Sequence, residues 1–452
     1  MTERKVSRRT ALIAGGLTAG GLVAGGVPLL RAALAGAGPA DGPALPRPAA
    51  LPLHAGADGV LRGELVAAPA GNSLRYNGSA PGPLVKLREG DRVRLEFRND
   101  LDADSSLHLH GLPLAPAVDA PLAHLSPGAT STQEFAVPEG VAGTFWYHPH
   151  AHGDVERQLL AGLAGPIVVT GAADELLKSC DDRLLMFTRA GQDIGVNGVV
   201  RPVLTPTAGR TRLRLLNATA GDHLLVGVLR SGDRAPLHLV ATDGGFVAEP
   251  VEITEVLLAP GERAEVLVDT SVAGRLELTA LPYSVYGTGG AASTAFRLAA
   301  LDVPPGLAPV ALPARLRDVE VLDEADAVRR RRIVFGGTGT DHFTLDGRTF
   351  DHHRVDLEAH LDTLEVWDVV NDHTTDHPFH LHSYSFQILS RDGVPEPLRA
   401  WRDTVNVPPG GTVTIAVPFR GEPGRTVYHC HIASHEDLGM MGVLEVRPPS
   451  AP

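Results

Sequence analysis

The chain has 452 residues, room for several domains, and its 43% hydrophobic and 21% charged residues exclude wholesale disorder. A formal charge of −13 argues against a nucleic-acid binder, and two cysteines exclude a disulfide-dense fold and a four-cysteine zinc site. Fifty glycines and 36 prolines are too many breakers for long helices and suit short strands joined by turns, so an all-β protein is expected.

Residues 1–35 read as a secretory signal. A charged start holds Arg8 and Arg9 side by side, a Gly- and Ala-rich apolar stretch runs from Ala11 to Leu30, and Ala33-Leu34-Ala35 offers a small-residue cleavage site. The paired arginines give it the look of a twin-arginine signal, and the glycines make a retained membrane anchor the weaker reading. The protein is therefore expected in the periplasm or outside the cell, without an anchor after cleavage. Residues 36–50 are Pro-, Gly- and Ala-rich and read as a linker.

One local pattern then occurs three times. Asn77-Gly78 is a turn signal, followed by RVRLEFRN ending at Asn99, in which Val93, Leu95 and Phe97 alternate with charged residues at the period of a half-buried strand. Asn197-Gly198 starts a second copy ending at Asn217, and Asp346-Gly347 a third ending at Asn371. Copies this far apart suit three related β domains, expected over 51–172, 180–302 and 331–448, with 303–330 as the link before the third.

The histidines form pairs: His108/His110, His148/His150, His150/His152, His380/His382 and His429/His431. Chance at this composition gives about one His-x-His pair. Strand side chains at i and i+2 share a face, so each pair is a two-nitrogen claw suited to copper, zinc or iron. In His429-Cys430-His431 the cysteine faces opposite to the histidines, so one strand can serve two metal sites joined by a few bonds. His377, His435 and Met440 surround that segment, and two histidines, a cysteine and a weak methionine make the blue-copper donor set. Zinc would explain the histidines but has no use for an electron path.

Four motifs carry a resemblance to the three-domain, laccase-like multicopper oxidases of bacteria: HLHG at 108–111, WYHPHAHG at 146–153, HPFHLH at 377–382 and HCHIASHEDLGMM at 429–441. The resemblance covers essentially the whole mature chain. It implies three cupredoxin-like Greek-key β-sandwiches and four coppers per chain. Type 1 copper would take His377, Cys430 and His435, with Met440 as axial ligand at the family's spacing and Met441 as the competitor. Type 2 copper would take His108 and His380, and the type 3 pair His110, His148, His150, His382, His429 and His431, at a cluster between the first and third domains. His152 is expected as a packing residue beside the ligands. His54, His124, His223, His238 and His342 are expected as ordinary surface or hydrogen-bonded histidines, and Cys180 as a free thiol.

The resemblance further implies that a reducing substrate gives single electrons to the type 1 site, that they pass through Cys430, and that four of them reduce O2 to water. Protons for that step are expected from Asp119 and Glu436, whose positions match the family pattern. Phenols, aromatic amines, the low-valent ions Cu(I), Fe(II) or Mn(II), and bilirubin-like pigments are all donors within the family. With only Met1, Met186, Met440 and Met441 present, a Met-rich metal-capture segment is absent. A monomer is expected. The alternative is a copper-free exported binding protein of the same fold, like bacterial cell-division relatives that have lost ligands. Two-domain copper nitrite reductases fit least, because they lack the HCH motif.

Overall fold

The structure, a computed structural model, describes residues 42–449; the signal sequence and the first part of the expected linker lie outside them. The described residues fold into three β-sandwiches, each of two facing sheets, built from strands between His54 and Thr170, Asp181 and Val303, and Arg329 and Arg447. Helices are single turns or little more. These are the cupredoxin-like Greek-key sandwiches that the motifs imply.

Alternation sets the registers. In the strand Arg92–Asn99, Val93, Leu95 and Phe97 are buried while Arg92, Arg94 and Glu96 are exposed. Burying each of those apolar side chains stabilises by about 1.5–3 kcal/mol. A one-residue slip would forfeit this and turn Arg94 and Glu96 inward.

The threefold repeat has a structural basis. In the first sandwich the strand Leu61–Ala70 runs parallel to Arg92–Asn99, which pairs antiparallel with Thr130–Ala136. The same trio is made by Asp181–Ala190, Arg210–Asn217 and Arg263–Asp269 in the second, and by Arg329–Thr338, Thr363–Asn371 and Thr412–Phe419 in the third. The turn residues Asn77, Asn197 and Asp346 have φ near +50°, a conformation that Asn and Asp tolerate. Each side chain accepts a backbone N–H of the first strand of its trio, from Val66, Met186 and Val334. The terminal Asn99, Asn217 and Asn371 are fully buried, and each amide donates to two carbonyls and accepts the N–H two residues on. An Asx turn thus ends the same strand in all three sandwiches.

Residues 43–50 lie along the first two sandwiches, where the Leu45 N–H donates to the Val203 carbonyl and the Val203 N–H donates to the Pro43 carbonyl. Residues 303–328 run over the second sandwich, anchored where Leu316 donates to Ala248 and where Arg210 grips the Val310 carbonyl. This returns the third sandwich to the first.

Candidate metal centre

Two strand pairings set the histidines. His108–His110 pairs with Gly143–His148 so that His108 stands opposite His148. In the third sandwich His377–Leu381 pairs with Gly424–Cys430 so that His380 stands opposite His429 and Phe379 opposite Cys430. Alternation then sends His380, His382, His429 and His431 to the seam with the first sandwich and Cys430 into the third sandwich's own core.

On the core side, Cys430 Sγ lies 3.3 Å from His377 Nδ1 and 3.6 Å from His435 Nδ1, and the two nitrogens are 3.2 Å apart. His435 stands on a short helix, Ala433–Asp437. The chain then folds back: Met440 donates to the His435 carbonyl and Cys430 to the Met440 carbonyl. Met440 shares the core around Cys430, whereas Met441 lines a small cavity with Asp346 and Tyr428. Phe343 stacks on the His435 ring at 3.8 Å. Burial pushes the Cys430 thiol up, so without a cation it stays protonated.

On the seam side, eight histidines converge, four from each of two sandwiches. His382 Nε2 and His150 Nε2 lie 3.0 and 3.4 Å from His429 Nε2, and His110 Nδ1 lies 3.1 Å from His431 Nε2. His148 packs against His110 and His431 with ring centroids 5.7 and 5.5 Å away. The rings of His108 and His380 are 5.7 Å apart, and their Nε2 atoms are buried without a hydrogen-bond partner, as is that of His148.

Most outer nitrogens are occupied, while those of His150 and His431 are buried without a hydrogen-bond partner. His108 Nδ1 meets Asp119 at 2.6 Å, His382 Nδ1 meets the same carboxylate at 2.8 Å, and His148 Nδ1 donates to the Pro149 carbonyl. His380 Nδ1 donates to the Asp403 carbonyl, and His110 Nε2 to the Asp403 carboxylate at 3.0 Å. Where it is made, an outer N–H bond fixes the tautomer and leaves the inner nitrogen a bare lone pair. Burial first, then the crowding of neighbouring rings, holds His148, His150, His429 and His431 well below the ordinary histidine value, so they are neutral. Lone pairs 3.0–3.4 Å apart with no proton between them repel one another, and a metal cation resolves that conflict. The donor set therefore fits copper.

The carboxylates divide in character. Glu436 is buried, 3.2 Å from both His150 Nε2 and His429 Nδ1, and burial raises it well above the usual carboxylate range. Burial also works to raise Asp119, but the His108 and His382 rings outweigh it and hold the acid well below its ordinary value.

Asp403, Thr404 and Arg263 were not among the residues the motifs single out. Arg263 comes from the second sandwich, and its guanidinium forks onto the Asp403 carboxylate at 2.7 and 2.6 Å. Asp403 lies within ligand range of His110 and His380, but with its oxygens engaged by Arg263 and Thr404 it orients imidazoles rather than binding metal itself. Spacing gives no sign of this contact, since Arg263 and Asp403 are 140 residues apart and meet only when the second and third domains close.

His223 is buried and hydrogen-bonds Asn406, and Cys180 is half-buried and free. His152 follows the seam histidines and packs on His150 at 5.3 Å.

Residues 64–174 and 323–450 each match a family model described as Multicopper oxidase. Multicopper oxidase mco of Staphylococcus epidermidis is 30% identical over 404 residues, which cover 83% of this chain and 84% of that protein. Cell division protein FtsP of Shigella dysenteriae is 31% identical over 416 residues, 82% of this chain and 85% of its own. Among solved structures, a multicopper oxidase from Campylobacter jejuni, described as a metallo-oxidase, superposes with a TM-score of 0.82 at 28% identity, over 90% of this chain and 96% of that one.

Proposed function

The chain belongs to the multicopper oxidase family and is an oxidase that takes electrons from a reducing substrate and passes them to O2; from that premise we propose how its residues divide the work. His377, Cys430, His435 and Met440 would hold the type 1 copper. His108 and His380 hold the type 2 copper. His110, His148 and His431 hold one type 3 copper, and His150, His382 and His429 the other. That makes four coppers per chain.

Bound copper supplies one-electron oxidation at the thiolate site and the four-electron reduction of O2 at the three-copper cluster. The chain supplies the rest. Cys430 gives the covalent path, because its backbone neighbours on either side are His429 and His431. Glu436 holds a proton at the cluster and the ionised Asp119 accepts and relays one, each within hydrogen-bonding reach of two of its histidines. Asp403 and Arg263 orient His110.

The donor reaches His435 through a cavity of about 460 Å³ that this ring lines with Glu156, His223, Asp376 and Ile432. Its acidic and apolar walls accommodate small aromatic donors and low-valent metal ions alike. Domains over 51–172, 180–302 and 331–448 place the cluster between the first and the third. The chain works as an exported monomer, in the periplasm or outside the cell, delivered by its twin-arginine signal. Among the described residues no helix is long and apolar enough to cross a membrane.

One observation carries the assignment: the Cys430 thiol meets His377 and His435 within 3.6 Å while the flanking His429 and His431 enter a different cluster. The purified protein should be blue and contain four coppers per chain by elemental analysis. Cys430→Ser should lose the blue band and the oxidase activity while keeping its fold. A colourless parent protein that takes up no copper would favour the binding-protein alternative.

A further inference from the structure

Half of the 20 histidines belong to the copper centres assigned above, and the others are not scattered evenly. His124 and His152 of the first sandwich meet His352 of the third on the surface of the seam. The His152 ring is 4.8 Å from His124 and 6.2 Å from His352, and His353 adds a fourth ring 5.2 Å from His352. Histidine rings inside the copper cluster are spaced alike: 4.7 Å for His150 and His382, 5.7 Å for His108 and His380.

His152 is prepared as a donor. Its ring hydrogen-bonds the Pro121 carbonyl, while its Nε2 is buried and has no hydrogen-bond partner. This is the arrangement of a metal-binding imidazole, in which a carbonyl fixes one nitrogen and leaves the other open. Phe350 closes one side, its ring edge-on to His152 at 4.7 Å. His124 and His352 are exposed. The one hydrogen bond at His124 Nε2, accepted from the His152 backbone N–H at 3.4 Å, is long and yields readily to a stronger partner. The Asp104 carboxylate is close enough to act electrostatically on His124, which adds negative charge at the patch.

We propose that His124, His152 and His352 form a separate transition-metal site across the seam of the first and third domains, which takes one divalent ion that favours imidazole, zinc(II) or copper(II). Three imidazoles with a nearby carboxylate and an open face suit these ions better than magnesium or calcium, which prefer oxygen. An ion here joins the two domains that build the oxygen-reducing cluster, within two residues of His150. It would clamp the seam from outside without taking part in electron transfer.

Zinc is the suitable probe, because it is colourless and has no redox chemistry of its own. The copper-loaded enzyme is dialysed against zinc, and both metals are counted by elemental analysis. The expected result is one zinc per chain with copper content and blue band unchanged, together with a higher melting temperature. The double variant His124→Ala/His352→Ala, whose residues touch no copper ligand directly, should keep its blue colour and all its copper but take up no zinc at concentrations that saturate the parent. The control variant His54→Ala/His342→Ala removes two exposed histidines elsewhere and should still bind one zinc. The proposal is overturned if the parent binds no zinc, if zinc enters only by displacing copper, or if the two double variants bind zinc equally.

Discussion

Met440 and Met441 are adjacent, both buried, and differ in what they face. Met440 packs in the core around Cys430, while Met441 turns to the cavity at Tyr428. A thioether is a weak donor that stabilises the oxidised metal slightly. Met440→Leu should therefore raise the potential of the blue site, and Met441→Leu should change it much less; redox titration of both variants reads this directly. An equal or opposite pair of shifts would transfer the axial role. At the cluster, Asp119→Asn and Glu436→Gln keep side-chain shape but remove the acid. The blue band should persist, and anaerobic bleaching by substrate should run near the parental rate. Reoxidation by O2 should slow by about 10²–10⁴-fold, the usual worth of one placed acid. Copper must be counted on the same samples, because losing an orienting carboxylate can also loosen metal. Parental reoxidation rates with copper retained would remove both acids from the proton path.

At the level of elements, legibility followed locality. The strand alternation around Val93, Leu95 and Phe97, the repeated turn and terminal Asn, and the His-x-His pairs are all short-range patterns, and the sheets are built on them. Asp403 was not legible. It precedes the strand Thr404–Val407, and its role depends on pairing with His377–Leu381 and on Arg263 reaching across from another domain. The grouping of His124, His152 and His352 was hidden for the same reason, since His352 lies about 200 residues away in the chain and arrives only through domain packing. Arg263 gives the second domain, which offers no ligand, a hold on the cluster. Asp403→Asn should leave the blue site intact and weaken copper retention at the cluster by about 10–100-fold, as measured by copper content after dialysis against a chelator. Loss of the blue band together with cluster copper would mean instead that the whole third domain had been disturbed.

For the molecule as a whole, the buried histidines of the proposed copper centres concentrate a stability cost that depends on pH. Burial holds His377 down to about 2 and His435 to about 3, with their histidine neighbours adding to the effect. The unfolded chain binds protons at these rings near the ordinary value of about 6.5, while the folded, copper-free chain does not. Folded pKa values below the unfolded ones mean that stability is intact above about pH 6.5 and is lost as pH falls from there toward the folded values. The copper-free protein should therefore show a melting temperature that drops steeply below about pH 6.5. The copper-loaded protein should hold its own to lower pH, because bound metal keeps the rings deprotonated. Calorimetry of both forms across that range tests this, and parallel curves would show that the histidines do not govern acid stability. Glu436's neighbour Asp437 adds a tie between the domains, accepting the Val155 and Glu156 N–H groups at the start of the first domain's helix Val155–Leu160.

The single strand that carries Cys430 between His429 and His431 has an evolutionary consequence. In the proposed assignment the wire is peptide and not a packing contact, so the gap between the two reactive centres is the same whatever surrounds them. The walls of the cavity at His435 lie on loops, on the second domain and on short helices of the first and third domains, outside that strand. Selection can therefore rebuild the entrance for a new fuel while the oxygen-consuming engine stays untouched, and one chassis can diversify its diet by drift at a handful of surface positions.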